Sequence, residues 1–98
     1  MNLYKLTNIM NNDYDTFDEI IVAANSPADA RQLIPSSNAY TDNSVAVFNP
    51  NDKTQQSKLA REWTTPENVI VEFVGELDKT FFKNHDNNPL ILASFNAG

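Results

Sequence analysis

Three β-branched residues in succession, Ile20, Ile21 and Val22, are the feature that most limits how this chain can fold. Successive side chains of a strand point to opposite faces, so an unbroken apolar run places hydrophobic groups on both faces of a sheet. Such a run is typical of a strand that is covered on both sides. We therefore predict a strand over residues 17–24 and place it centrally in a sheet.

Three further segments have strand character. Residues 3–9 place apolar side chains on one face, and the Asn- and Asp-rich residues 11–15 separate them from residues 17–24, as in a hairpin loop. Residues 69–76 show the clearest alternation in the chain, and residues 90–95 form a last apolar run. The sequence thus predicts two strands near each end of the chain.

A helix start with a physical mechanism lies between these pairs of strands. Ser26 can accept a backbone N–H bond as the N-cap, and Pro27 lacks the N–H group that would go unsatisfied in the first turn. Asp29, three residues after Ser26, can complete a capping box and places negative charge at the positive end of the helix dipole. We predict about two turns of helix over residues 28–34, ended by Pro35.

The middle of the chain is polar. Residues 36–62 are rich in Ser, Asn, Asp and Gln, and we interpret them as an insertion within a single domain of residues 1–98. Within the insertion, residues 45–48 favour a short edge strand and residues 55–62 one or two helical turns. A second polar segment, residues 78–88, is predicted to be a loop.

These elements predict an α+β fold of two layers in ββαββ order. A four-stranded, mainly antiparallel sheet would carry one short helix on a face. Both hairpins should be antiparallel. If the helix connects the second and third strands within one sheet, that pair would be parallel and the sheet mixed.

The chain lacks the residues that several kinds of catalytic site require. It has no cysteine, which excludes disulfides and thiolate ligands and favours a reducing compartment. Its glycines are Gly75 and Gly98, so the glycine-rich loops that approach phosphates and the tight turn of a nucleophilic serine are missing. The sole histidine, His85, lies in a polar segment without a neighbouring nucleophile. We expect neither enzymatic activity nor a cofactor.

The charge balance is acidic. Seven basic and thirteen acidic residues give a formal net charge of -6, which disfavours direct contact with nucleic acid or anionic membranes. The carboxylates Asp13, Asp15, Asp18 and Glu19 are close in sequence, but Ala24 stands where a calcium loop starting at Asp13 needs its bidentate glutamate. We predict no metal site and interpret these acids as solvated residues of a turn and a strand entrance.

Three aromatic residues outside the strands could contact a partner. Trp63 is a residue type that dominates binding hot spots, although packing in the core is favoured for it. Phe81 and Phe82 are adjacent in a charged segment, where one ring is expected to be exposed.

The order of several short motifs resembles a family of small acidic proteins encoded by bacteriophages and prophages. The matching residues are Tyr4-Lys5-Leu6, Asn11 to Asp18, Val22-Ala23-Ala24, Ser26, Asp29-Ala30-Arg31, Pro35, Trp63, Val71 to Glu76, and Ile91 to Gly98. Residues 36–61 and 77–89 depart from the family pattern. The resemblance implies a phage setting and carries no catalytic residues.

That setting implies a function in the cytoplasm of the bacterial host. Small acidic phage proteins of this kind resemble inhibitors of CRISPR effectors and other defence complexes, whose lysine- and arginine-lined channels attract acidic surfaces. The partner would be such a complex, and the candidate contact residues are Asp13, Asp15, Asp18, Glu19, Glu67, Glu72, Glu76, Asp78, Phe81 and Phe82.

Two other functions remain open from the sequence. The chain could be an accessory or structural phage module that forms a homodimer through a strand edge or through Phe81 and Phe82. A metal-dependent or hydrolytic enzyme is the third hypothesis, which loss of an activity on mutating His85 or Asp15 would support.

Overall fold

The fold of residues 1–10, 16–35, 45–84 and 88–96 is described by a computed structural model, which gives the backbone alone at Phe82, Asn84 and residues 92–96. In chain order the elements are β1 (Asn2–Asn8), β2 (Thr16–Ala24), α1 (Pro27–Arg31), β3 (Leu33–Pro35), β4 (Val45–Val47), α2 (Lys53–Glu62), a short 3₁₀ helix (Pro66–Asn68), β5 (Val69–Glu76), α3 (Lys79–Asn84) and β6 (Leu90–Asn96). The predicted α+β class is confirmed.

The main sheet has four strands in the order β5-β1-β2-β6, and each neighbouring pair is antiparallel. The central position predicted for β2 is confirmed. The expected hairpin between the last two strands is wrong, because β5 pairs with β1 while β6 pairs with β2. The β1–β2 hairpin offers two free edges, and each of the last two strands takes one of them.

One face of this sheet carries the core. Tyr4 lies opposite Val22, and Leu6 opposite Ile20, so the apolar alternation of β1 and β2 falls on the same side. All four side chains are buried. The second layer consists of α1, α2 and the two-stranded sheet of β3 and β4, which contribute the buried residues Ala30, Ile34 and Leu59 to the same cluster.

Helix α1 begins where the sequence predicts and ends earlier. The side chain of Ser26 accepts a 3.1 Å hydrogen bond from the backbone N–H of Asp29, which confirms the N-cap. The helix ends at Arg31, and Leu33 already pairs with Val47 in β3. The residue before a proline is disfavoured in the helical region, so Pro35 moves the chain into a strand rather than only stopping the helix.

The polar segments hold more structure than a helix-and-loop description predicts. Helix α2 has ten residues, begins two residues before the predicted segment and is longer than the one or two turns expected. The side chain of Asp52 caps it by accepting a 3.0 Å bond from the backbone N–H of Gln55. The segment expected to be a loop contains α3, at whose start Asp78 accepts a 2.7 Å bond from the N–H of Thr80. None of the described helices is long and apolar enough to cross a membrane.

Candidate functional site

The predicted contact residues do not form one cluster. Asp18 lies near the start of β2, at one end of the sheet, whereas Glu76 pairs with Asn2 at the other end. Asp78 and Phe81 follow Glu76, beyond that far end. The acids therefore divide between two ends of the sheet.

Some predicted residues cannot be placed. Asp13, Asp15 and His85 lie outside the described residues, and the side chain of Phe82 is not described. Phe81 is 49% exposed, so the expectation of one exposed ring is confirmed for this residue. Trp63 is 1% exposed, which confirms that it packs in the core.

We call the face of the main sheet opposite the core the open face. By strand register it carries Leu3, Lys5, Thr7, Glu19, Ile21, Ile70 and Glu72. These side chains are half-buried or exposed, in contrast to the buried residues of the other face. The open face thus mixes apolar and charged groups at the surface.

One of the predicted acids, Glu19, forms an ion pair with Lys5 on the open face. Lys5 lies directly opposite Glu72 in the register, and its Nζ is 3.8 Å from a carboxylate oxygen of Glu19. The side chains of Lys5 and Glu19 keep 36% and 44% of their accessible surface, so water screens the pair and limits its strength. With Glu72 on the neighbouring strand, this region of the open face carries two carboxylates and one ammonium, which leaves it negatively biased.

The hydrogen-bonding direction of β5 can be derived from its two ends. Outside the strand, the N–H of Ile9 donates to the carbonyl of Asn68 at 3.5 Å, and the N–H of Leu77 donates to the carbonyl of Met1 at 2.9 Å. Antiparallel partners alternate between hydrogen-bonded and non-hydrogen-bonded pairs. Counting inward from Asn68, the main-chain groups of residues 70 and 72 point to β1, and those of residues 69, 71 and 73 point away.

A bulge reconciles the count from the other end. Tyr4 pairs with Phe73 but Leu3 pairs with Gly75, so Val74 is an extra residue in β5. With this extra residue, the count from Leu77 reaches the same assignment, with Phe73 pointing away from β1. Both ends of the strand therefore give the same outward residues.

Val69 is the outward residue whose main-chain groups are already bonded. Its N–H donates to the carbonyl of Pro66, and its carbonyl accepts from the guanidinium of Arg31. Among the described strands, β5 pairs with β1 alone. The outward N–H and C=O groups of Val71 and Phe73 therefore form a free strand edge. We call these groups, with the side chains of residues 70–74, the β5 edge.

The β5 edge is also apolar on both faces. Ile70 on the open face is 45% exposed, Phe73 on the other face is 62% exposed, and the bulge residue Val74 is 52% exposed. The ring of Phe73 packs edge-on against Tyr4, with centroids 6.0 Å apart, so its position is defined although most of it is in water. The charge of Glu72 marks it in the sequence, whereas nothing marks these three neighbours, because strand alternation does not reveal which strand lies at an edge.

A cleft lies between α2 and the small sheet. It has a volume of about 230 Å³ and an apolar floor that includes Ile34, Leu59 and Trp63. Among the titratable groups at its rim, Asp52 already serves as the cap of α2. Over the described ranges of the chain, no group of three or more His, Cys, Asp or Glu residues could hold a metal ion.

Glu67 has the one resolved pKa shift among the described residues. A hydrogen bond to its own backbone, with a further one from the Thr65 side chain, lowers the pKa of this carboxyl below its usual value. Both bonds favour the ionised form. Glu67 is fully exposed in the turn that precedes β5, so it contributes a persistent negative charge beside that strand.

Comparisons with protein-family models, with curated proteins and with solved structures each find no match.

Proposed function

We propose that this protein is a small acidic binding protein that inhibits a host defence complex by docking on a basic surface used for nucleic acid. The observation that carries the proposal is the β5 edge, where Phe73 and Val74 are more than half exposed beside Glu72. Proteins that remain monomeric usually cover or charge such an edge, and adjacent exposed apolar groups are typical of interaction sites.

The charges near this edge suit a basic partner. Glu67, Glu72 and Glu76 lie on β5 or just before it, and this stretch contains no lysine or arginine. Complementary charge increases the rate of encounter and selects against partners of the same sign. We therefore propose that Glu72 and its neighbours form the contact with the partner.

The choice of a defence complex depends on the resemblance to phage-encoded proteins. Effectors that hold guide RNA or target DNA present channels lined with lysine and arginine. A compact acidic domain in the bacterial cytoplasm can reach such a channel, and its -6 charge would favour binding there over binding to nucleic acid itself.

The test is affinity capture of the tagged protein from the bacterial host, with mass spectrometry of the retained proteins. We expect wild type to retain a nucleic-acid-binding complex, and Glu72→Lys to lose most of it. Glu62→Lys, which changes the net charge equally but lies on α2, serves as the control. Retention should also fall when ionic strength rises from about 0.05 to 0.5 M. Equal losses from the two variants would contradict the proposed surface.

A second candidate function is self-association as an accessory phage module. The observation that favours it is again an exposed edge strand, together with the 49% exposure of Phe81. Light scattering coupled to size exclusion separates the two functions. A stable homo-oligomer that retains no host protein favours the module, and a monomer that retains a defence complex favours the inhibitor.

A further inference from the structure

We infer that the β5 edge binds an extended segment of the partner protein as an added antiparallel strand, with a lysine or arginine of that segment opposite Glu72. This inference rests on the proposed function and specifies which part of the partner makes the contact. Strand addition obtains affinity from main-chain hydrogen bonds and specificity from alternate side chains.

The main chain sets the length and position of the added strand. Val71 and Phe73 are two residues apart, and each can exchange a pair of hydrogen bonds with one residue of an antiparallel segment. Val69 closes one end of this template, because its groups are bonded to Pro66 and Arg31. The bulge ends the template on the other side, because the next paired residue, Gly75, is bonded to Leu3 of β1. The incoming strand therefore centres on Glu72.

The side chains of the β5 edge define what the incoming strand should carry. A residue opposite Glu72 would be in a non-hydrogen-bonded pair, where Cα atoms are about 4.5 Å apart and side chains are closest. A basic side chain there meets an exposed carboxylate. The residue two positions away on one side would lie against Ile70, and the residue two positions away on the other side would lie near the exposed bulge residue Val74, so apolar groups are favoured at both positions.

A second copy of this chain fits the edge poorly. Two copies satisfy Val71 and Phe73 together only when Val71 of one pairs with Phe73 of the other, which places the two Glu72 side chains opposite each other. Like charges in that position are destabilising. If Val71 of one copy pairs with Val71 of the other, Phe73 lies opposite Val69, whose main-chain groups are already bonded. If Phe73 pairs with Phe73, Val71 lies opposite Gly75, next to the bulge and paired with β1.

The test uses a designed peptide, acetyl-Ser-Val-Thr-Lys-Thr-Val-Ser-amide, titrated into the isotope-labelled full chain and followed by amide chemical shifts. We expect the largest shifts at residues 70–74 and a dissociation constant in the millimolar range or below. A matched peptide with Glu in place of Lys should bind about fivefold more weakly.

Backbone methylation tests the geometry of pairing. In the inferred register the threonine N–H groups face β5 and the lysine N–H faces solvent. Methylating both threonine nitrogens should therefore abolish binding, whereas methylating the lysine nitrogen should change it less than about twofold. The reverse pattern, or no effect of either methylation, overturns the inference. Shift changes away from β5, or concentration-dependent dimerisation of the free protein through β5 at neutral pH, overturn it as well.

A protein variant separates this inference from the proposed function. Val71→Pro removes an outward N–H and should lose both the peptide and the host complex, provided its thermal unfolding resembles that of wild type; Val71→Thr, which keeps the N–H, should retain both. If Val71→Pro captures the host complex as well as wild type does, strand addition is wrong and the proposed function stands. If wild type captures nothing but binds the peptide as described, the proposed function fails alone.

Discussion

The guanidinium of Arg31 donates a 3.1 Å hydrogen bond to the carbonyl oxygen of Pro66, and it donates a second bond to the carbonyl oxygen of Val69. Arg31 is the last residue of α1, and the two carbonyls flank the start of β5. One half-buried side chain thus fixes the helix layer to the edge strand and occupies the first outward carbonyl of that strand.

Replacing Arg31 with lysine should destabilise the protein. Both bonds come from Nη1 at the tip of the planar guanidinium. A lysine keeps the charge, but its shorter side chain and tetrahedral ammonium do not reproduce the position of Nη1, so we expect one charge-assisted bond to be lost and the free energy of unfolding to decrease by about 1–2 kcal/mol. Urea denaturation measures it. Arg61→Lys, at an exposed position of α2, is the control and should change stability by less than about 0.5 kcal/mol. Equal effects at the two sites would show that the bonds of Arg31 do not contribute.

Proline substitution should distinguish adjacent residues of β5. The N–H of Glu72 points to β1, so Glu72→Pro removes a ladder bond and leaves a carbonyl of β1 unsatisfied. The N–H of Val71 points outward, and edge positions of this kind tolerate proline. We expect Glu72→Pro to cost at least about 1–3 kcal/mol more than Val71→Pro. Thermal unfolding of the two variants measures the difference, and the opposite order would invalidate the derived bond directions.

Truncation of Leu6 should be costly compared with truncation of an open-face residue. Leu6 is fully buried between the two layers, so Leu6→Ala should lower the free energy of unfolding by about 2–5 kcal/mol through lost contacts and a residual cavity. Ile70 keeps 45% of its surface in water, and Ile70→Ala should cost about 1 kcal/mol. Chemical denaturation of both variants tests which face of the sheet holds the core.

Titration of Glu67 should occur at lower pH in the folded protein than in the unfolded chain. Its own backbone and Thr65 stabilise the carboxylate, which lowers the pKa of Glu67 in the folded state. The resulting stabilisation is present above the unfolded pKa and is lost as the pH falls through the folded one. NMR of the side-chain carboxyl measures the midpoint. Thr65→Val should raise it part of the way, because the backbone bond remains; an unchanged midpoint would exclude a contribution from Thr65.

The strands and the first helix cap could be predicted because their signals are local. Alternation marks β1 and β5, the apolar run marks β2, and Ser26 caps α1 as expected. Strand partners are set by contacts between distant segments, so the hairpin expected between β5 and β6 was wrong. Likewise, the strand formed by Leu33–Pro35 depends on pairing with β4 far along the chain, and helical periodicity at α1 gives no sign of it.

The candidate site was predictable only in part. Charge alone identified Glu19 and Glu72, which lie on the two strands that flank Lys5, and Glu19 forms an ion pair with it. Composition cannot show that Asp18 and Glu76 lie at opposite ends of the sheet, since that depends on the register. The exposure of Phe73 was also hidden, because the same alternating pattern fits a covered strand and an edge strand.

Trp63 gives this molecule an intrinsic optical reporter. It is the chain's only tryptophan, it is almost fully buried, and its backbone N–H at the end of α2 donates to the carbonyl of Leu59 at 3.0 Å. Its fluorescence therefore comes from the junction between α2 and the layer beneath it. A red shift in emission at constant circular dichroism would reveal that α2 can separate from the sheet before the strands themselves come apart.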